Sequence, residues 1–133
     1  MALDPRIGPS NSVGSVLIVE DNPNMLFLAE RIVRKRGYTV LKASNGQAAL
    51  DLYQQHKSNI EVVMLDMSLP VVSGRDVLYR ITRENPAAKV IVTSGYLDQD
   101  VLDIDHGQIE FLHKPYTPDE VLNALDNLRA RGL

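Results

Sequence analysis

Val62-Val63-Met64-Leu65-Asp66 (residues 62–66) is a run of four apolar residues closed by a carboxylate. An unbroken apolar run of this length, without polar alternation, suits a strand covered on both faces, and such strands belong to parallel sheets in α/β folds. The pattern recurs upstream, where Val16-Leu17-Ile18-Val19 ends in Glu20-Asp21. Downstream, Val90-Ile91-Val92 ends in Thr93-Ser94-Gly95, and Ile109-Glu110-Phe111-Leu112-His113 ends in Lys114-Pro115. Function in such sheets collects at the carboxyl ends of the strands. Here those ends supply acids, a hydroxyl and an amine.

Working outward, strand and helix patterns alternate: strand 16–20, helix 23–36, strand 38–43, helix 45–56, strand 61–66, helix 74–84, strand 89–94, a short or irregular helix 98–104, strand 109–113 and helix 117–131. This is a (βα)5 chain. Right-handed crossovers and short connections then predict a doubly wound five-stranded parallel sheet in the order 2-1-3-4-5, the flavodoxin-like arrangement. In the first helix Met25, Leu28, Ala29, Ile32 and Val33 form the predicted inward stripe, with Asn22 as N-cap, Pro23 following and Gly37 at the stop. The last helix has Thr117 as N-cap, Pro118 in its first turn and Glu120 three residues on, with Val121, Ala124, Leu125 and Leu128 inward. Segment 97–107 carries four aspartates and few apolar residues, so it is the weakest element.

The chain has 133 residues and 44% hydrophobic content, enough for one domain with one ordinary core. Residues 1–15 read as a flexible leader, or one of expression origin, and 16–131 as the folded domain. A formal net charge of −3 argues against direct nucleic-acid binding, which favours a basic face. With no cysteine, disulfides, thiolate metal sites and cysteine nucleophiles are excluded. No apolar stretch approaches the roughly 20 residues of a membrane span. The expected setting is therefore soluble and cytoplasmic, without membrane contact.

In the order 2-1-3-4-5 the first and third strands adjoin, so Glu20, Asp21 and Asp66 converge at the switch point. Carboxylates that close repel, and relief comes from raised pKa values, from a bound cation or from a fixed ammonium such as that of Lys114. The remaining negative charge favours a hard divalent ion with oxygen ligands, Mg²⁺ first.

Glu20-Asp21, Asp66 followed by Leu69-Pro70 and Gly74, Ser94-Gly95 and Lys114-Pro115 stand in an order that resembles the receiver domain of two-component response regulators, the CheY-like family. The resemblance covers about residues 16–131. It implies that Asp66 is the phosphoacceptor, taking a phosphoryl group from the phosphohistidine of a histidine kinase or histidine phosphotransfer domain. Glu20, Asp21, Asp66 and the backbone carbonyl of Ser68 would hold Mg²⁺. Lys114 would pair with Asp66 or a phosphoryl oxygen, Ser94 would donate to the arriving group, and Gly95 would leave room for it. Phe111 takes the position of an aromatic switch that follows Ser94 inward, and Tyr96 would shield the acyl phosphate from water. Serine at 94 stands where threonine is commoner. Thr93 is its neighbour in register and should point the other way. Phe111 lacks the hydroxyl of the tyrosine found in many members.

Each residue also has a plainer reading. An acidic pair after a strand often caps a helix, Lys-Pro is a common turn, and Arg34-Lys35-Arg36 complements a helix dipole. His56, His106 and His113 stand at no ligand spacing and are not read as phosphodonors. The expected role is a signalling domain that catalyses only its own aspartyl phosphorylation and dephosphorylation, not an enzyme acting on other substrates. The competing readings are a pseudo-receiver that binds without phosphorylation control and a flavodoxin-like cofactor binder. Glu20-Asp21 would repel the phosphate that the last one needs. A homodimer through the 97–128 face stays open, as does the choice between a stand-alone regulator and the receiver of a hybrid histidine kinase.

Overall fold

The computed structural model describes residues 14–95 and 108–131. In chain order these form β1 (Ser15–Val19), α1 (Pro23–Arg34), β2 (Thr39–Ala43), α2 (Gly46–His56), β3 (Ile60–Asp66), α3 (Gly74–Glu84), β4 (Lys89–Ser94), β5 (Gln108–His113) and α4 (Pro118–Arg131). The five strands make one parallel sheet in the order β2-β1-β3-β4-β5. The predicted helix 98–104 and Tyr96 lie outside the described residues.

The apolar runs are buried because both faces of the sheet are covered. Side chains alternate along a strand, so Val16, Ile18, Val62, Met64 and Ile91 pack with α1 and α4, through Ile32, Val33, Leu125 and Leu128. Leu17, Val19, Val63, Leu65, Val90 and Val92 face the other way, onto Ala49 and Tyr53 of α2 and Val77, Leu78 and Ile81 of α3. Each fully buried Leu or Ile in these layers is worth about 1.5–3 kcal/mol of transfer free energy.

The helix ends form as their residues dictate. Asn22 Oδ1 accepts from the amides of Asn24 and Met25 at 2.9 and 3.1 Å, capping α1. At α4, Glu120 Oε1 accepts from the Thr117 amide at 2.8 Å while Thr117 Oγ1 accepts from the Glu120 amide at 3.2 Å, a reciprocal capping box. Gly37, beyond the end of α1, has φ 89°, the left-handed region that a side chain opposes.

Three details differ from the sequence reading. β1 opens at Ser15, whose amide donates to the Asn59 carbonyl, so the fold begins before residue 16. In α1, Leu28 is 42% exposed, while Met25 and Leu26 pack against the core. Leu28 sits at the margin of the arc centred on Ala29 and Ile32, and the helix phase gives the inner place to Leu26. Arg36, read as a solvated helix end, makes a two-pronged pair with Asp126 and so ties α1 to α4.

Candidate functional site

The carboxyl ends of β1, β3 and β5 meet above the sheet. Glu20 and Asp66 are 4% and 1% exposed, a costly place for two acids. Lys114 reconciles them. Its Nζ donates to Glu20 Oε1 at 2.8 Å and to Asp66 Oδ2 at 3.1 Å, so one ammonium bridges both carboxylates. Asp66 Oδ1 accepts from the Ser68 amide at 2.9 Å and the Ser68 hydroxyl at 2.8 Å. Glu20 Oε2 accepts from the Asn22 amide at 3.2 Å.

These contacts split the two acids electrostatically. Burial pushes the Glu20 carboxyl up, its bonds to Lys114 and Asn22 offset this only in part, and the charge of Asp66 adds to the rise. Burial also raises Asp66, but the two Ser68 donors and Lys114 outweigh it, and its carboxyl rests below the usual aspartate range. Burial opposes the charge on Lys114, yet its two carboxylate partners hold its pKa above the ordinary lysine value. A fixed ammonium and one raised carboxyl both relieve the crowding.

Backbone packing sets the frame. The Lys114 amide donates to the Ser94 carbonyl at 2.7 Å, joining the ends of β4 and β5, and the Lys114–Pro115 peptide is cis. Thr93 is buried and in register with Asp66, and its carbonyl accepts from the Met67 amide at 3.0 Å. Ser94 is the last residue of β4, and the position a Gly95 side chain would take is open space. A Cβ on Gly74 would stand 2.3 Å from the Asp66 carbonyl oxygen, so only glycine lets α3 start this close to Asp66. Phe111 is 38% exposed on β5.

Glu20, Asp21 and Asp66 each offer a carboxylate oxygen, and these oxygens all lie within 4.8 Å of one another. An all-oxygen anionic donor set of this size suits a hard divalent cation. The structure thus brings together Glu20, Asp21, Asp66 and Lys114 as expected. The sequence reading missed the Ser68 side chain, expected only through its carbonyl, and Tyr116. The first was legible, because serine two residues after an aspartate commonly returns a hydrogen bond to it. Tyr116 is buried near the cluster, and burial with the nearby Glu20 charge pushes its phenol up to about 12.

A doubly wound parallel sheet with an acid and lysine cluster at its switch point defines an α/β domain of the flavodoxin-like arrangement whose chemistry sits at the strand ends. Within that class, the chain belongs to the response regulator receiver domain family, whose model matches residues 16–126. It is 34% identical over 116 residues to the chemotaxis protein CheY of Thermotoga maritima, covering 85% of this chain and 95% of that one. A receiver domain protein from Clostridium thermocellum superposes with a TM-score of 0.82 at 30% identity, over 90% of this chain and 97% of the other. The response regulator TrrA of Thermotoga maritima, solved in complex with Mg²⁺-BeF, superposes with a TM-score of 0.76 at 26% identity, over 87% and 99% of the two chains. Several other curated relatives are longer, and the chain spans between 27% and 51% of their length.

Proposed function

We propose that this receiver domain accepts a phosphoryl group on Asp66 from the phosphohistidine of a histidine kinase or histidine phosphotransfer domain. The observation that carries the reading is the Lys114 ammonium bridging Asp66 and Glu20 at the switch point. It keeps a buried carboxylate ionised, as a nucleophile must be. An Asp66 oxygen attacks phosphorus, the P–O bond forms as the P–N bond breaks, and the imidazole leaves with the electron pair and takes up a proton. Ser68 fills Oδ1 with two donors, so Oδ2 keeps the spare lone pair for attack. Lys114, already at Oδ2, is placed to pass to a phosphoryl oxygen.

Mg²⁺, held by the carboxylates of Glu20, Asp21 and Asp66 with the Ser68 carbonyl, would supply positive charge against the phosphoryl oxygens. The clustered oxygens and the Mg²⁺-BeF complex of the similar TrrA support this choice. Ser94 would donate its hydroxyl to the bound phosphoryl group in the space left beside Gly95, with Phe111 following. The reaction is the domain's own modification. The test is intact mass after incubation with acetyl phosphate and Mg²⁺. One phosphoryl group on the wild-type chain and none on Asp66→Asn is the expected result. No incorporation into either would favour a pseudo-receiver.

A further inference from the structure

Val71, in the loop between β3 and α3, has φ 66° and a fully exposed side chain. A β-branched residue resists that left-handed region, and here no burial of the side chain offsets the cost. The loop is fixed on both sides of it. Before it, the Met67 amide donates to the Thr93 carbonyl at 3.0 Å, Ser68 donates twice to Asp66 Oδ1, and Leu69 is buried in the core shared with α2 and α3. After it, Val72 packs against that same core, and Ser73 Oγ accepts from the Asp76 amide at 3.1 Å to cap α3. Residues 70–72 make no backbone hydrogen bond of their own among the described residues. Val72 also fixes the loop against α2: a Cβ on Gly46, the first residue of that helix, would stand 2.5 Å from the Val72 carbonyl oxygen and 2.8 Å from its Cβ.

We propose that this loop is a spring released by phosphorylation: with a phosphoryl group on Asp66, Val71 leaves the left-handed region and Val72 shifts against Gly46, carrying the signal to the start of α2. The release rests on the reading of Asp66 as phosphoacceptor. Both Ser68 bonds end on an ionised carboxylate, and hydrogen bonds to a charged acceptor are roughly twice as strong as neutral ones. Esterification of Oδ2 turns Oδ1 into a neutral carbonyl oxygen, so both bonds weaken in one step. The net worth of such a bond and the strain of a side chain held at positive φ are of the same order. Weakening two bonds that hold the loop is therefore enough to let the strain relax. The anchors set the direction, since Ser73 stays in the α3 cap and Met67 on β4, which leaves Val72 as the part that moves. α2 packs over β1 and β2, at the other edge of the sheet from β5, so this route is separate from the one through Ser94 and Phe111.

The test compares the full chain by NMR in Mg²⁺ alone and in Mg²⁺ with beryllofluoride, a mimic of the phosphoryl group. In the wild type, the backbone couplings of Val71 should report loss of the positive φ, and the amides of residues 46–49 should shift. Val71→Asn introduces a residue that tolerates the left-handed region, at a side chain with no burial to lose. Its melting temperature should rise, its phosphoryl uptake from acetyl phosphate should match wild type, and its shifts at 46–49 should largely vanish. Asp66→Asn removes the charge and keeps the shape, so without any phosphodonor its Ser68 amide should exchange roughly fivefold faster. Unchanged Val71 couplings in beryllofluoride-bound wild type, equal responses at 46–49 in wild type and Val71→Asn, no rise in melting temperature, or unaltered Ser68 exchange in Asp66→Asn would each overturn the spring. Faster Ser68 exchange in Asp66→Asn, beside a wild-type chain that takes up neither beryllofluoride nor a phosphoryl group, would instead overturn the acceptor reading and uphold the tie between Asp66 and the loop.

Discussion

Lys114 Nζ lies 3.1 Å from Asp66 Oδ2, on the oxygen that Ser68 leaves unfilled. The two oxygens of one buried carboxylate are therefore held by different parts of the chain: Oδ1 by the loop after β3, Oδ2 by the end of β5. The same ammonium reaches Glu20 at the end of β1. A single side chain thus links three strand ends, and its removal should be felt in both stability and chemistry.

Lys114→Ala leaves two buried acids without their shared cation. The expected cost is about 1–3 kcal/mol at neutral pH, the penalty for buried polar groups that lose a charged partner. It falls short of a fully buried pair because Lys114 is 21% exposed. Urea unfolding of the two proteins measures it. Mg²⁺ should recover part of the loss in the variant, because a cation at the same acids replaces the missing charge. A loss that Mg²⁺ leaves untouched would argue that Lys114 acts through packing alone.

The acid limb of the stability curve should separate Glu20 from Asp66. Asp66 titrates below its ordinary value of 3.8, so its contribution is present above that value and is lost as pH falls through the lowered one. Glu20 titrates above its ordinary value of 4.5, so the folded state holds the proton longer than the unfolded chain and stability falls as pH rises from 4.5 through the raised value. Glu20→Gln should abolish that decline and raise stability at neutral pH. Asp66→Asn should flatten the loss at the acid end. Urea unfolding at a series of pH values, with chelator present, reads both. A decline above pH 4.5 that survives in Glu20→Gln would assign it elsewhere.

How far the sequence carried this reading depends on what kind of physics placed each residue. The strand order and the meeting of Glu20, Asp21, Asp66 and Lys114 follow from continuous apolar runs ending in polar residues, because burial on both faces leaves a sequence little choice. The caps at Asn22 and Thr117 are equally local. Leu28 was harder, since a helix stripe has margins and a small change of helix phase exchanges it for Leu26. Val71 has φ 66° and is fully exposed, a conformation β-branched residues resist, and no pattern in Pro70-Val71-Val72 announces it. The loop's anchors impose it: a Cβ on Gly46 would stand 2.5 Å from the Val72 carbonyl oxygen, so the loop is pressed against α2 on one side and Gly74 against Asp66 on the other. Long-range packing of that kind is absent from local sequence.

Mg²⁺ should raise the melting temperature of the wild-type domain by mass action, and Asp21→Ala should remove most of the rise. Asp21 is the exposed member of the acidic cluster and makes no contact with Lys114, so its loss should leave the Lys114 bridge intact. The variant should therefore match wild type in chelator and separate from it only when Mg²⁺ is added. Differential scanning calorimetry with and without the ion makes the comparison. Equal shifts in both proteins would place the cation away from Asp21.

Phe111 offers the clearest view of switching, because the chain has only two phenylalanines and the other, Phe27, is 60% exposed on α1. Phe111 is 38% exposed, so burying what remains outside would gain on the order of 1 kcal/mol, against about 1.5–3 for a whole such side chain. That is enough to change a two-state ratio about fivefold, the scale on which a switch can be biased without unfolding the sheet. With fluorine-labelled phenylalanine, beryllofluoride and Mg²⁺ should move the Phe111 resonance toward a buried environment and leave Phe27 in place as an internal reference. Ser94→Ala should still bind beryllofluoride at Asp66 but hold Phe111 at its starting position, because the hydroxyl proposed to draw the end of β4 toward the bound group is gone. A Phe111 resonance that moves equally with and without the Ser94 hydroxyl would separate the aromatic side chain from Ser94 and leave the signal to travel by another route.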